Sequence, residues 1–155
     1  DDLIAALRGG SDIDAVLNER VGDAGASKVA QDRGAIDRCF AGDTVEAIED
    51  ALAADGSDWA RKTLETMAGR SPTSQKIVLR QIALGAGLDF DDCMRLEYRL
   101  SQHCMAGHDF FEGVRAVVID KDQKPQWRPA RLSDVTEEMV AEYFAPLGPA
   151  EITFD

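Results

Sequence analysis

Three side chains near the middle of the sequence have the chemistry of metal ligands. His103, Cys104 and His108 lie within six residues and include the chain's only two histidines. A tetrahedral zinc site needs three or four ligands, and neither CxxC nor HExxH accompanies this set. Gly107 interrupts the helical spacing between Cys104 and His108. We therefore favour a helix end with a buried thiol over a metal site. A Cys–His nucleophile is disfavoured as well, because an apolar helix face raises the pKa of a thiol.

Glu97 is the second candidate for chemistry. In a helix it falls on the same face as Cys93 and Leu100, which are apolar positions. A carboxylate on a buried face either pairs with a cation or has a shifted pKa, and shifted carboxylates serve acid–base catalysis. We favour a structural ion pair, and the candidate partners are Arg80, Arg99 and Arg115.

The charge of the chain restricts its partners. The formal net charge is -12, which argues against nucleic acid or an anionic membrane surface as a partner. Neither GxxxxGK nor GxGxxG occurs, so a phosphate-binding loop is not supported. An anionic ligand such as coenzyme A would need a local basic patch. Two stretches could supply one: Lys121 to Arg131 (Lys121, Lys124, Arg128, Arg131) and Arg70 to Arg80 (Arg70, Lys76, Arg80).

Length and composition predict one compact helical region over residues 1–155. The chain has 155 residues, of which 45% are hydrophobic and 30% charged. No run of about eighteen apolar residues could cross a bilayer. The start, Asp1-Asp2-Leu3, lacks a basic leader and an initiating Met, so we expect the chain to begin within a longer protein. The chain has three cysteines, Cys39, Cys93 and Cys104. An odd number without the spacing of a disulfide framework is typical of proteins in a reducing compartment.

The first half of the chain is predicted to consist mainly of short helices. Ser11 precedes an apolar spacing that ends at Val21 and so should cap a short helix. Residues 22–34 lack periodicity and are expected to form a loop. Asp43 and Glu46 have capping-box spacing, and Ser57 should cap the next helix.

The second half has stronger helix signals. Ser71 and Pro72 should begin a helix that runs to Leu84, and Asp89 should begin a longer one that Gly107 closes. The predicted apolar face of the longer helix contains Phe90, Cys93, Leu100 and Cys104. Asp109 and Glu112 have capping-box spacing before an apolar run (Phe110, Phe111, Val114, Val117, Val118), and this helix should pack on the Asp89 helix. Gly113 inside it predicts a close approach by a neighbouring backbone or a ligand. Trp127 is predicted to be an apolar anchor, and Thr136 should cap a helix that runs to Ala145.

Three stretches resemble a known family: SPTSQK, EYRLSQHCMAGHDFFEGVRAVVIDKDQKPQW and TEEMV. They resemble the C-terminal region of the crotonase (enoyl-CoA hydratase/isomerase) superfamily, and within it the 3-hydroxyisobutyryl-CoA hydrolases. Two further stretches, RCFAGDTVEAIEDAL and SDWARKTLETM, are similar to a helical segment that these hydrolases place before their C-terminal helices. The resemblance implies an all-α part of a crotonase-like α/β enzyme, with intervening helices in residues 1–70 and a C-terminal helical cover in residues 71–155.

The resemblance also implies a function. A complete enzyme would bind an acyl-CoA substrate, without a permanent cofactor, and hold the thioester oxygen between two backbone N–H groups while a glutamate activates water. It implies catalytic residues outside this chain, a cover that packs on an N-terminal core, and contacts within a homo-oligomer. The lysine that follows the EG helix in hydratases approaches the nucleotide portion of CoA, and Lys121 is the nearest match. The stretch Ile119-Asp120-Lys121 is one residue longer than the hydratase pattern.

Three functional interpretations remain open on the sequence. The first is a part of a CoA-thioester hydrolase of valine catabolism, inactive by itself, in a bacterial cytoplasm or a mitochondrial matrix. The second is a part of an enoyl-CoA hydratase or isomerase. The third is a helical module that binds another protein and has no enzymatic parent. For Lys121 itself, a solvated surface lysine is the alternative to a CoA contact.

Overall fold

The computed structural model describes residues 2–10, 12–23 and 25–154, and these residues form helices and no strand. The expected all-α fold class is therefore confirmed. None of the described helices is both long and apolar enough to cross a membrane. The described α-helices are α1 (Asp2–Arg8), α2 (Ile13–Asn18), α3 (Lys28–Cys39), α4 (Val45–Asp55), α5 (Asp58–Ala68), α6 (Pro72–Gly85), α7 (Phe90–Ala106), α8 (His108–Val114) and α9 (Glu137–Tyr143).

The chain divides into two compact units, residues 1–34 and residues 35–155. In the first unit α1 contacts α2. The second unit contains the helices from α4 to α9, and α4 contacts α6 within it. The division between residues 1–70 and 71–155, which the resemblance implies, stays a prediction.

Four of the predicted helix caps are present. The side-chain oxygens of Ser57, Ser71, Asp89 and Thr136 each accept a hydrogen bond from the N–H three residues later. The cap of α4 was assigned one residue too early, since Thr44 accepts from the Ala47 N–H at 3.1 Å in place of Asp43. For these five helices, local capping rules thus predict the start to within one residue.

The predicted loop over residues 22–34 is wrong in its second half. Helix α3 begins at Lys28, and the Ser27 hydroxyl accepts a hydrogen bond from the Ala30 N–H at 3.4 Å. The helix forms without a strong apolar periodicity because a cap and several good helix formers are sufficient locally. The predicted cap Ser11 lies outside the described residues, and Asp12 caps α2 by accepting from the Ala15 N–H.

Residues 35–155 contain two apolar clusters. The first, which we call the central core, joins α6, α7 and α9 and consists of Ile77, Leu96, Leu100, Val135 and Val140, with Tyr143 and Phe144 packed against it. The second joins the end of α3 to α4 and α5 and contains Cys39, Ile48, Leu52 and Ala60. The central core holds the helices that surround the site described below.

The predicted inner face of α7 agrees with the structure at Leu100, which is buried, and at Cys93 and Cys104, which are half-buried, but it differs at Phe90 and at Glu97. Leu96 and Leu100 are its buried residues, whereas Phe90 is 73% exposed. Glu97 is exposed and accepts a hydrogen bond from the Gln81 side chain at 2.6 Å, so the predicted ion pair with an arginine is wrong. Leu96 and Glu97 lie on either side of the predicted apolar face of α7. Packing against α6 and α9 buries Leu96 and leaves Glu97 exposed.

The segment after α7 also differs from its prediction. Helix α8 begins at His108 after Gly107, and no side chain caps it, so the capping box of Asp109 and Glu112 is wrong. The helix continues into one π-helical turn, Arg115–Ile119, which is closed by a 2.8 Å hydrogen bond from the Asp120 N–H to the Arg115 carbonyl. A π turn holds one residue more than an α turn. The helices α7 and α8 are in contact as expected.

Candidate functional site

A cavity of about 400 Å³ lies in residues 35–155, where the start of α6, the end of α7 and α8 meet. Its walls include Ser71 and Thr73 of α6, Cys104 of α7, and Phe110 and Gly113 of α8. Further along the chain it is lined by Gln123, Pro125, Trp127 and Tyr143. The cavity therefore brings together residues from two of the stretches that carry the resemblance, the one that begins at Ser71 and the one that ends at Trp127.

One wall depends on the glycine inside α8. A Cβ added at Gly113 would lie 3.4 Å from the Trp127 ring, at van der Waals contact, so the ring lies against this face of the helix. The indole N–H donates to the Gly69 carbonyl at 3.2 Å. A neighbour does approach Gly113 closely, but it is the Trp127 side chain and not the predicted backbone or ligand, and Trp127 anchors its segment against α8.

Asp109 joins the elements around the cavity. Its carboxylate accepts a 2.5 Å hydrogen bond from the Ser71 hydroxyl and a 2.9 Å bond from the Arg128 N–H. The His108 ring lies 3.0 Å from the same carboxylate. Asp109 is thus a link between α6, α8 and the segment around Arg128, and not the helix cap that its spacing predicted.

The thiol and the phenol on the cavity wall are protonated at neutral pH. Burial raises the pKa of Cys104, and burial likewise is the main cause of the raised pKa of Tyr143. A thiol with a raised pKa is a poor nucleophile, which agrees with the interpretation of Cys104 as a structural residue.

The two histidines have separate partners. The His103 Nε2 atom lies 2.9 Å from the Ala145 carbonyl oxygen, at the end of α9, while His108 contacts Asp109. In the part of the chain that the structure describes, no group of three or more His, Cys, Asp or Glu side chains is placed to hold a metal ion. His103 therefore connects α7 to the segment that follows α9, whereas His108 contacts its neighbour within α8.

Arg115 is the most highly connected side chain near the cavity. Its guanidinium binds both carboxylate oxygens of Glu112, at 2.8 and 2.9 Å, and donates to Asp120 and Asp122 at 2.8 Å each. It also donates to the Lys124 carbonyl at 3.2 Å. The hydrogen bonds from Arg115 lower the pKa of Glu112 to about 2, and those with Glu112 raise the pKa of Arg115. We call residues 120–126 the arginine loop, because they wrap around this guanidinium.

The arginine loop carries Lys121, the one residue that the resemblance assigned to CoA. Lys121 is exposed, and within the described residues its ammonium makes no hydrogen bond or ion pair. Its φ is 57° and that of Gln123 is 58°, a left-handed conformation that costs a non-glycine residue on the order of 1 kcal/mol. Gln123 and Pro125 of the same loop line the cavity. Lys121 therefore lies on a loop that forms part of the cavity wall.

The two basic stretches contribute unequally. Lys76 pairs with Glu46 at 2.8 Å and donates to the Val135 carbonyl, and the Arg80 guanidinium lies 4.8 Å from the Phe144 ring centre. Arg131 pairs with Asp134. Among the described residues, the side chains without such partners in these stretches are those of Arg70, Lys121, Lys124 and Arg128. Most of the cations available to an anionic ligand thus follow α8.

Sequence reasoning missed the central role of Arg115 and the link made by Asp109. Arg115 entered only as a possible partner of Glu97. The spacing of Glu112, Arg115, Asp120 and Asp122 was a usable signal, because Glu112 precedes Arg115 by three helical residues. Asp109 and Ser71 are 38 residues apart, and no local pattern relates them.

The fold of this chain is similar to the folds of two solved structures, which are named as a carnitinyl-CoA dehydratase and an enoyl-CoA hydratase. The chain superimposes on a carnitinyl-CoA dehydratase from Mycobacterium thermoresistibile with a TM-score of 0.88 and 37% identity, covering 100% of this chain and 44% of that one. It superimposes on an enoyl-CoA hydratase from Rhodobacter sphaeroides 2.4.1 with a TM-score of 0.82 and 35% identity, covering 99% and 44%.

Curated relatives include mitochondrial 3-hydroxyisobutyryl-CoA hydrolases from several vertebrates. The chain is 48% identical to that of Xenopus laevis over 124 residues, which are 80% of this chain and 32% of the relative. For the Homo sapiens enzyme the identity is 50% over 119 residues, covering 77% and 31%. For the Gallus gallus enzyme it is 51% over 113 residues, covering 73% and 29%.

The matches extend over most of this chain but over only part of each relative. The chain spans about a third of the length of the curated hydrolases. The family model described as enoyl-CoA hydratase/isomerase matches residues 1–144. The resemblance carried by SPTSQK and the following stretches is thereby confirmed, and the chain belongs to the enoyl-CoA hydratase/isomerase family.

Proposed function

We propose that this chain is the C-terminal helical cover of a CoA-thioester hydrolase that acts on 3-hydroxyisobutyryl-CoA in valine catabolism. The observation that carries the proposal is the similarity to 3-hydroxyisobutyryl-CoA hydrolases. Identity to three of them is 48–51% over 73–80% of the chain. Family membership favours an enzymatic parent over an interaction module without one.

In this proposal the chain contributes a wall of the acyl-CoA site and not its chemistry. Asp109 is bound by Ser71 and Arg128, and the Cys104 thiol and Tyr143 phenol hold their protons at neutral pH. Such groups do not form the acid–base pair that hydrolysis requires. The two N–H groups that would stabilise the thioester oxyanion, and the glutamate that would activate water, belong to the core of the complete enzyme.

The role proposed for Lys121 is to bind the nucleotide portion of CoA. Its exposed ammonium, and the nearby unpaired side chains of Lys124 and Arg128, support this role, since CoA phosphates need local cations in a protein of net charge -12. The substrate is acyl-CoA, and no permanent cofactor is part of the proposal.

The apolar side chains exposed on α8 and the π turn support packing against other protein. Phe111, Val118 and Ile119 are each at least 60% exposed. A contiguous set of such side chains on a helix is typical of a protein interface. We propose that this face packs on the N-terminal core of the same enzyme or on another subunit of a homo-oligomer.

The proposed location is a mitochondrial matrix or a bacterial cytoplasm. The free thiols of Cys39, Cys93 and Cys104 are compatible with either reducing compartment. The first location is supported by the names of the vertebrate relatives, which describe mitochondrial enzymes.

The test is a thiol-release assay on the complete enzyme with 3-hydroxyisobutyryl-CoA. The expected result is stoichiometric free CoA, and the 155-residue chain assayed alone under the same conditions should release none. Absence of thiol release by the complete enzyme contradicts the hydrolase proposal. Release by the chain alone contradicts its role as a cover.

A second candidate function is hydration of an enoyl-CoA, which the likeness to the Rhodobacter sphaeroides hydratase favours. The same sample distinguishes the two reactions. A hydratase removes the absorbance of the conjugated enoyl thioester and leaves the thioester intact. A hydrolase liberates a thiol that a disulfide reagent detects.

A further inference from the structure

We propose that Arg115 is a positioning residue for CoA binding: by holding the arginine loop, it fixes where the Lys121 ammonium meets the nucleotide portion of the ligand. This inference rests on the proposed function of Lys121. Arg115 itself is assigned no contact with the ligand. Its effect on binding passes through the backbone of residues 120–124.

The contacts of Arg115 enclose Lys121 on both sides. The guanidinium donates to Asp120, which precedes Lys121, and to Asp122, which follows it, at 2.8 Å each. It then reaches the Lys124 carbonyl at 3.2 Å. A planar guanidinium offers donors in a fixed fork, so three acceptors bound to it have little freedom to move relative to one another.

The Arg115 guanidinium is also bound to a side chain of α8. Arg115 binds Glu112 through two hydrogen bonds, and a Glu112 oxygen also accepts from the Gln126 N–H at 2.7 Å. The Gln123 N–H donates to the Ala116 carbonyl at 3.0 Å. The arginine loop is thus tied to α8 and the π turn at its beginning, its middle and its end.

The backbone conformation needs this support. Lys121 and Gln123 both have left-handed φ values, which L-residues other than glycine adopt only when their surroundings impose them. The local hydrogen bonds around Arg115 are the contacts that impose them here. Without the guanidinium, we expect the loop to relax and the lysine to lose its fixed place.

The charge of the cluster argues for positioning and against a direct electrostatic role. Three carboxylates, from Glu112, Asp120 and Asp122, surround one guanidinium. The cluster is therefore net negative and by itself repels the phosphates of CoA. Any benefit that it gives to CoA binding must come from the geometry that it imposes on Lys121.

The test measures binding of CoA and of pantetheine to the complete enzyme by calorimetry. Pantetheine lacks the nucleotide portion and serves as the matched ligand. We expect Arg115→Gln and Lys121→Ala each to weaken CoA binding about tenfold, the effect of one charge-assisted contact, and to leave pantetheine binding unchanged. The double variant should bind CoA no more weakly than Lys121→Ala alone.

Two further variants separate geometry from charge and from misfolding. Asp122→Asn removes a negative charge but also weakens an anchor of the loop, so positioning predicts weaker CoA binding and a purely electrostatic effect predicts tighter binding. Arg131→Gln is the control, because Arg131 pairs with Asp134 outside the loop, and it should change CoA binding less than about twofold. Asp122→Asn also keeps the test decisive if Arg115→Gln does not fold.

The inference is overturned if Arg115→Gln weakens CoA binding equally on the wild-type and Lys121→Ala backgrounds, if it weakens pantetheine binding to the same extent, or if Asp122→Asn tightens CoA binding. These outcomes are independent of the reaction. Suppose that the effects of Arg115→Gln and Lys121→Ala on CoA binding are non-additive as expected, but the complete enzyme releases no thiol. That result contradicts the hydrolase proposal and supports the role of Arg115.

Discussion

The central core and the arginine loop are held together by different forces. In the central core, Leu100 is 5% exposed and packs with Ile77, Val135 and Val140. In the arginine loop, the fold depends on one guanidinium and three carboxylates, while Val117, Val118 and Ile119 of the adjoining π turn are exposed. Apolar burial does not depend on pH or salt in the way that partly exposed ion pairs do.

This difference indicates which region carries stability and which carries specificity. Burial of apolar area supplies most of the free energy of folding, and it is not directional. The ion pairs of the arginine loop contribute little stability where water reaches them, yet their geometry fixes the backbone. The central core therefore acts as the support, and the arginine loop acts as the part that presents a functional side chain.

The largest effect is expected in the central core. Leu100→Ala should lower the free energy of unfolding of the chain by about 2–5 kcal/mol, because it removes buried methyl groups and leaves a cavity. Urea denaturation measures this change. Val118, which is 60% exposed, is the matched control, and Val118→Ala should cost less than about 0.5 kcal/mol. Equal costs at the two sites would contradict the assignment of the core.

The next effect is expected where α8 meets Trp127. Gly113→Val should displace the Trp127 ring and lower stability by about 1–3 kcal/mol, the usual range for overpacking. Tryptophan emission in a Trp59→Phe background, which leaves Trp127 as the chain's only indole, should shift to longer wavelength.

Gly113→Ala provides the control for that variant. Its Cβ would lie 3.4 Å from the ring, and alanine gains on the order of 1 kcal/mol of helix propensity over glycine. Emission should stay at the wild-type wavelength. A shift as large as that of Gly113→Val would mean that the ring does not rest on the helix as described.

A smaller effect is expected at the link between α6 and α8. Ser71→Ala removes a helix cap and the hydrogen bond to Asp109, and it should cost about 1–2 kcal/mol in urea denaturation. Thr136→Ala removes a cap within α9 alone and should cost about 1 kcal/mol. In a double-mutant cycle, Ser71→Ala and Asp109→Asn should be non-additive. Additive costs would show that the 2.5 Å contact contributes no coupling.

The smallest effect is expected in the acid stability of the arginine loop. The pKa of Glu112 falls from an ordinary 4.5 to about 2 in the folded chain, so the ionised carboxylate stabilises the fold above about pH 4.5. That stability is lost as the pH falls toward 2. Glu112→Gln should therefore lose less Tm than the wild type between pH 6 and about pH 3. Parallel losses in the two proteins would remove Glu112 as a cause.

Local rules predicted much of this fold and failed where the partners are distant. The caps Ser57, Ser71, Asp89 and Thr136 agree with the structure because a cap and the N–H group that donates to it lie three residues apart. The helix from Lys28 was missed because its apolar periodicity is weak, although its alanines and the Ser27 cap favour helix. Periodicity is a signal of burial, and a mostly exposed helix provides little of it.

Side-chain roles were harder to predict than elements. Asp109 has ideal capping spacing, yet its carboxylate binds Ser71 from another helix. Glu97 is adjacent to the buried Leu96 on α7, yet its side chain is exposed and does not lie on the buried face that its spacing predicted. The role of Lys121 stays a prediction, and the structure adds the loop that could hold it.

The sequence by itself determined the helical class, most helix starts and the family, since these depend on spacings of a few residues and on motifs such as SPTSQK. The tertiary structure decided which face of α7 is buried, which acid Ser71 binds, and that Arg115 gathers Glu112, Asp120 and Asp122. The physical reason is that a side chain of one type has several possible partners within reach of its own helix, and only the packing of neighbouring elements selects among them.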